Sequence, residues 1–107
     1  MEFPNDENGD VLRRMEKNGD KLDISRNIDF YFKFRSMDAA QDFVSHEIVT
    51  RNGFTFEVNK TDSGVDVVAI KEMIPTYDNI TTTEDDLGDA VICYGGEPDG
   101  WGSIAVK

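Results

Sequence analysis

A lone cysteine and a lone histidine, Cys93 and His46, are the residues of this sequence best suited to covalent chemistry. A thiol becomes a nucleophile when a neighbouring imidazole takes its proton, so the two could form a catalytic dyad. Cys93, however, lies late in a predicted helix beside Val91 and Tyr94, where a cysteine usually packs as a small hydrophobic residue. We therefore expect a buried Cys93 and a solvated His46, and a small enzyme using the two is kept only as an alternative function.

Oxygen-bearing side chains at alternate positions, Asp6, Asn8 and Asp10, resemble the beginning of a calcium-binding loop. The rest of that loop is missing, because Gly9 comes too early and Lys17 stands where a bidentate glutamate is required. The same residue types favour the N-terminus of a helix, where a side-chain oxygen accepts a hydrogen bond from a backbone amide. The sequence thus predicts a helix cap here, and it predicts no metal and no other cofactor.

Four of the nine glycines lie in residues 94–103, YGGEPDGWGS, together with the single tryptophan. Dense glycines can cradle a phosphate, but phosphate loops run from a strand into the N-terminus of a helix. Here the glycines follow a predicted helix and precede a predicted strand. Gly95 and Gly96 therefore predict a helix end, and residues 97–100, EPDG, predict a turn in which proline and glycine set the backbone angles.

Acidic side chains outnumber basic ones by 22 to 11, which gives a formal charge of −11. This charge repels phosphate backbones and anionic lipids, so it argues against nucleic acids and membrane surfaces as partners. Four of the acids lie close together, at Glu84, Asp85, Asp86 and Asp89. Such a run is usually the solvated face of a helix, and it could instead dock an Arg- or Lys-rich segment of another protein. Both interpretations stay open here.

A period of two in residues 28–35 predicts a strand with one buried face. The apolar set is Ile28, Phe30, Phe32 and Phe34. The opposite face then carries Tyr31, Lys33 and Arg35, which together could dock an acidic or mixed partner. Exposed aromatic rings on a sheet can stack RNA bases, but only Tyr31 would remain outward here. We therefore regard Tyr31 as a second candidate protein contact rather than as part of an RNA platform.

The remaining patterns predict three helices and three further strands. The helices are a short one after the Asp6–Asp10 caps, one over residues 36–52 and one from Thr82 or Thr83 to Gly95; the strands are 54–58, 65–74 and 101–107. After the first helix the order is βαββαβ. Short connections and right-handed crossovers make this a ferredoxin-like α+β sandwich, a single domain over residues 1–107. We expect a four-stranded antiparallel sheet in the order 4-1-3-2, with both crossover helices on one face.

The core that this arrangement predicts is mostly aromatic and aliphatic. Its expected members are Phe30, Phe32, Phe34, Phe43, Ile48, Phe56, Leu87 and Val91.

The opening FPNDENGDVLRRMEKNGDKLD, which leads into IDFYFKF, and the closing YGGEPDGWG resemble the family of the regulator of ribonuclease E activity B. The strand, helix and hairpin between them match the order of that family. The resemblance implies a ferredoxin-like fold, no catalytic activity, and binding to the non-catalytic scaffold region of ribonuclease E with inhibition of RNA decay. Asp99, Gly100, Trp101 and Gly102 then resemble a family turn with a structural role.

We accordingly expect a non-catalytic protein-binding regulator, whose partner is ribonuclease E or another protein with a basic segment. An adaptor unrelated to ribonuclease is the alternative. The first residues, MEFPNDENGD, have neither the basic nor the apolar region of a secretory signal, so a cytoplasmic location is expected.

Overall fold

The computed structural model describes residues 4–45, 53–104 and 106. These residues form three helices and four strands: α1 (Glu7–Lys17), β1 (Arg26–Phe34), α2 (Met37–Val44), β2 (Thr55–Thr61), β3 (Gly64–Met73), α3 (Tyr77–Cys93) and β4 (Glu97–Ser103). None of the helices in these ranges is long and apolar enough to cross a membrane.

All four strands join one antiparallel sheet in the order β2-β3-β1-β4. This is the predicted strand order viewed from the other edge, so the α+β class and the sheet order are confirmed. The central strands β1 and β3 pair along their whole length, from Arg26 opposite Met73 to Phe34 opposite Val65. Strand β4 forms one edge of the sheet, beside β1.

The core lies on one face of the sheet. Burial alternates along β1, which places Ile28, Phe30, Phe32 and Phe34 on the covered face. Helix α2 adds Phe43, whose ring centroid lies 5.4 Å from that of Phe32 and 5.2 Å from that of Phe34. Helix α3 adds its own buried residues to the same cluster, namely Ile80, Leu87, Ala90 and Val91. Both helices therefore cover the same face, and none of the described helices covers the other, open face of the sheet.

The predicted core is confirmed for six of its residues, namely Phe30, Phe32, Phe34, Phe43, Leu87 and Val91. Phe56 lies in β2 at the other edge of the sheet and is only half-buried, packed against the core. Ile48 and the predicted continuation of α2 to residue 52 lie outside the described residues.

A second, smaller cluster holds α1 against the rest of the molecule. Leu12 and Leu22 are buried there, and Met15, Tyr77 and Trp101 pack against them. Helix α1 begins as predicted, because the Asp6 Oδ1 atom accepts a hydrogen bond from the Gly9 amide at 2.8 Å. Since Trp101 contacts both clusters, it connects α1 to the main core.

The predicted start of α3 at Thr82 or Thr83 is wrong. The helix begins at Tyr77, and the Thr76 hydroxyl caps it by accepting a hydrogen bond from the Asn79 amide at 3.0 Å. Thr83 sits inside the helix, and its hydroxyl donates back to the Asn79 carbonyl at 2.7 Å. A threonine hydroxyl can form a hydrogen bond in either place. Because residues 76–83 contain four threonines, the sequence left the position of the cap ambiguous.

The predicted turn over residues 97–100 is also wrong, because these residues already belong to β4. Phe32 pairs with Pro98 and Phe30 pairs with Trp101, so β4 carries one extra residue between the two pairs. Gly100 takes a φ of +93° at this β-bulge, which confirms the expected positive φ. Pro98 is tolerated because β4 is an edge strand. The proline and glycine therefore shape a bulge instead of a turn.

Candidate functional site

Of the two residues suited to covalent chemistry, only Cys93 belongs to the described part of the chain. Cys93 is exposed at the end of α3, so its predicted burial is wrong. The apolar stripe of α3 runs through Val91, whereas Ile92, 68% exposed, and Cys93 point to solvent. His46 lies outside the described residues. Within the described part of the chain, no three His, Cys, Asp or Glu residues are grouped to hold a metal ion.

The acidic row predicted on the last helix lies in the middle and C-terminal half of α3. We define this row by its members, Glu84, Asp85, Asp86 and Asp89. The three aspartates are exposed, and Glu84 is half-buried. Because α3 begins at Tyr77, none of them lies in the first turn, where the helix dipole would favour a negative charge. Asp85 and Asp89 are spaced i,i+4 on one helix face, and like charges at that spacing destabilise a helix.

Three distant segments meet beside this row through the side chain of Asn8. Its Nδ2 atom donates to Glu84 Oε1 at 2.7 Å and to Thr81 Oγ1 at 3.1 Å. Its Oδ1 atom accepts a hydrogen bond from the indole Nε1 of Trp101 at 3.0 Å. An indole nitrogen can only donate, so this bond fixes which end of the Asn8 amide faces Trp101 and which faces Glu84. Helices α1 and α3 and strand β4 are thereby tied together.

These contacts form one wall of a cleft with a volume of about 470 Å³, which we call the Trp101 cleft. It is lined by Glu7, Asn8, Val11, Glu84, Pro98, Asp99, Gly100 and Trp101. Three of these residues are acidic and none is basic. The cleft therefore combines a negative lining with the apolar surface of a tryptophan, a proline and a valine.

Glu84 is the half-buried carboxyl group among the three acidic residues of this lining. Burial raises the pKa of Glu84 above its ordinary value, and the negative charges of Glu7 and Asp85 raise it further. The hydrogen bond from Asn8 acts in the opposite direction, because it stabilises the ionised carboxylate. A cation placed in the cleft would act in the same direction as Asn8.

The residues assigned a structural role, Asp99, Gly100, Trp101 and Gly102, lie in β4 at the mouth of the cleft or next to it. Asp99 Oδ2 is 4.0 Å from Lys33 Nζ, and both side chains are more than half exposed. Gly102 lies on the open face of the sheet, where a Cβ atom would be 3.6 Å from the Tyr31 hydroxyl. Three of the four residues therefore line the cleft as well as shaping the edge strand.

Tyr31, the other candidate contact, lies on the open face of the sheet and is 36% exposed. The acidic row belongs to α3, which packs on the opposite, covered face of the sheet. The structure therefore does not bring these two candidates together. The strand register places Asp66 and Glu97 opposite Lys33, and Glu57 is aligned with Val68 beside Tyr31. These three carboxylates offset the charges of Lys33 and Arg35, which weakens the reason for expecting an acidic partner on this face.

Sequence reasoning missed the Trp101 cleft and the part that Asn8 plays in it. The spacing of Asp6, Asn8 and Asp10 indicated only a cap, and no local pattern connects residue 8 with residues 84 and 101. The only signal was that the two segments carrying the family resemblance lie at opposite ends of the chain. In the structure those segments supply α1 and β4, which line the cleft together.

Comparison with known proteins agrees with that resemblance. No curated protein sequence matches this chain. The family model described as regulator of ribonuclease activity B (RraB) matches residues 5–103, which include α1, the whole sheet and α3. Members of this family are regulators and are not known as enzymes. Because the match spans most of the chain, the protein belongs to the RraB family of regulators of ribonuclease activity.

Proposed function

We propose that this protein is a non-catalytic, cytoplasmic regulator that binds a basic segment of ribonuclease E and thereby slows RNA decay. Family membership supports a role in ribonuclease regulation and suggests ribonuclease E as the partner. The βαββαβ order after α1, with both described crossover helices on one face, is consistent with a ferredoxin-like scaffold that presents surfaces for binding.

The observation that carries the proposal is the position of the acidic row on α3. Asp85, Asp86 and Asp89 gain nothing from the helix N-terminus, and their mutual repulsion opposes helix formation. The chain has no basic residue between Asp78 and Tyr94 that could neutralise them within the helix. A basic segment lying along α3 would relieve this repulsion, which gives the acids a role in binding that they lack in folding.

Exposed charges of this kind act mainly on the rate of association and on specificity. Salt screens them over about 8–10 Å at physiological ionic strength. The affinity for the scaffold region of ribonuclease E should therefore fall as the salt concentration rises.

The test is a titration of that scaffold region by calorimetry at low and high salt. One variant carries Asp85→Asn, Asp86→Asn and Asp89→Asn, and leaves Glu84 in place because Asn8 binds it. The matched control removes the same charge at exposed sites elsewhere, through Asp23→Asn, Asp42→Asn and Asp62→Asn. We expect the α3 variant to bind more weakly than the control and to lose most of the salt dependence.

The outcomes separate the competing surfaces. Equal affinities for the α3 variant and its control would contradict docking on α3. Loss of binding only in a Tyr31→Ala variant would move the site to the open face of the sheet. If the wild-type protein binds oligo-lysine but not the scaffold region, the adaptor function replaces the ribonuclease function.

A further inference from the structure

We infer that the Trp101 cleft receives an arginine side chain of the protein segment that lies along α3. This inference rests on the proposed function, and it names the residue type that the partner must supply. The cleft and the acidic row share Glu84, so a segment running along α3 passes the mouth of the cleft.

Charge complementarity is the first reason for a cationic occupant. Glu7, Glu84 and Asp99 line the cleft, and no described lysine or arginine does. The nearby Lys33 Nζ lies 4.0 Å from Asp99 Oδ2, and both groups are largely in solvent, where an ion pair contributes little. A second copy of this chain, which carries a formal charge of −11, would be repelled, and so would a phosphate.

The aromatic wall is the reason for arginine rather than lysine. A guanidinium group is planar, stacks on an indole ring and donates paired hydrogen bonds to a carboxylate. The Trp101 ring and the Glu84 carboxylate lie on the same cleft, so one guanidinium could contact both. A lysine ammonium would meet the same charge but would lose the stacking and the paired geometry.

The cleft is already assembled without its occupant. Asn8 holds the Glu84 carboxylate at 2.7 Å and the Trp101 indole at 3.0 Å, so the two recognition groups are fixed before binding. The volume of about 470 Å³ lies within the usual range for sites that bind small groups, about 300–1,000 Å³. Val11 and Pro98 add apolar surface for the methylene stem of the arginine. Binding therefore costs little rearrangement of this protein.

Trp101 is the only tryptophan of the chain, so its fluorescence and its indole N–H resonance report on the cleft alone. We would titrate the wild-type protein with three probes, namely the ribonuclease E scaffold region, an acetylated hexa-arginine peptide and an acetylated hexa-lysine peptide. Calorimetry on the same samples gives the affinity. We expect the scaffold region and hexa-arginine to shift both Trp101 signals in a saturable way, and hexa-lysine to bind more weakly with a smaller shift.

A charge-removal pair tests the lining. Glu7→Gln with Asp99→Asn neutralises two exposed carboxylates of the cleft and leaves the Asn8 contacts intact. The control, Asp42→Asn with Asp62→Asn, removes the same charge outside the cleft. The cleft variant should bind hexa-arginine at least about fivefold more weakly than the control, a loss of about 1 kcal/mol.

Each outcome decides between the two ideas. Scaffold binding with no change at Trp101 overturns the cleft inference and leaves the proposed function standing. A hexa-arginine response without scaffold binding supports the cleft and removes ribonuclease E as the partner. Equal affinity and equal Trp101 shifts with hexa-lysine contradict the arginine assignment. If no probe binds, both ideas fail.

Discussion

The indole nitrogen of Trp101 donates a hydrogen bond to Asn8 Oδ1, which lies 93 positions earlier in the chain. The same Asn8 side chain donates to Glu84 on α3. One amide thus joins the first helix, the last helix and the edge strand. These are also the elements that line the cleft beside the acidic row, so the contact that stabilises the fold also shapes the proposed binding site.

A double-mutant cycle measures this contact. Trp101→Phe removes the indole donor, and Asn8→Ala removes the acceptor together with the donors to Glu84 and Thr81. The coupling between the two changes should be about 0.5–1.5 kcal/mol in the free energy of unfolding, the usual net value of a hydrogen bond. Urea denaturation of the wild-type protein, both single variants and the double variant provides the values. Strictly additive losses would show that the two side chains do not interact in solution.

Gly100 and Gly88 should respond to the same substitution with opposite signs. Gly100 has a φ of +93°, and a Cβ there would meet no atom within 4 Å, so any cost of Gly100→Ala comes from the backbone alone. We expect a loss of about 1–2 kcal/mol, the usual cost of a left-handed conformation for a non-glycine residue. Gly88 lies inside α3 with equally open space, so Gly88→Ala should stabilise the protein by about 0.4–1 kcal/mol. Thermal unfolding of both variants checks the pair, and equal shifts would refute the bulge geometry.

The covered face of the sheet can be tested at neighbouring positions of β1. Phe32 is buried on the covered face of the sheet, in contact with the Phe43 ring. Phe32→Ala should therefore lower the free energy of unfolding by about 3–5 kcal/mol. Tyr31 points to the open face, and Tyr31→Ala should cost less than about 1.5 kcal/mol. Denaturant unfolding of the two variants compares them. A smaller loss at Phe32 than at Tyr31 would mean that the faces of the sheet are reversed.

The raised pKa of Glu84 predicts a pH-dependent contribution to stability. A carboxyl group whose pKa is higher in the folded state binds its proton more tightly there. Protonation of Glu84 therefore stabilises the folded state, fully when the pH is below the ordinary glutamate pKa. This stabilisation is lost as the pH rises through the raised pKa of Glu84. Glu84→Gln keeps an acceptor for Asn8 but removes the titration, so its stability relative to the wild type should be higher at neutral pH than below the ordinary glutamate pKa. Unfolding measured at these two pH values provides the comparison, and a relative stability that falls towards neutral pH would contradict the assignment.

Alternation along β1 was enough to predict the covered face, because a period of two determines which side chains share a side of a strand. The order of elements then predicted the sheet order. The local errors arose where one residue type fits two environments. A threonine can cap a helix or bond back within it, as Thr76 and Thr83 do, and Pro-Asp-Gly can form a turn or a bulge.

The acidic row could be found in the sequence, but its position relative to the helix start could not. That position depends on the Thr76 cap, and it decides whether the acids serve the helix dipole or a partner. The Trp101 cleft needed the structure, since Asn8, Glu84 and Trp101 come together only through tertiary packing. Cys93 was misplaced because its neighbours Val91 and Tyr94 lie on the packed side of α3 while it does not.

The central claim is that this protein regulates ribonuclease E by binding its scaffold region and does no chemistry itself. The most direct measurement is the rate of RNA cleavage by full-length ribonuclease E, and by its catalytic part alone, with and without this protein. The account predicts slower cleavage by the full-length enzyme, no effect on the catalytic part, and weaker inhibition by the Asp85→Asn, Asp86→Asn, Asp89→Asn variant. Unchanged cleavage by the full-length enzyme at saturating protein, or equal inhibition of the catalytic part alone, would contradict it.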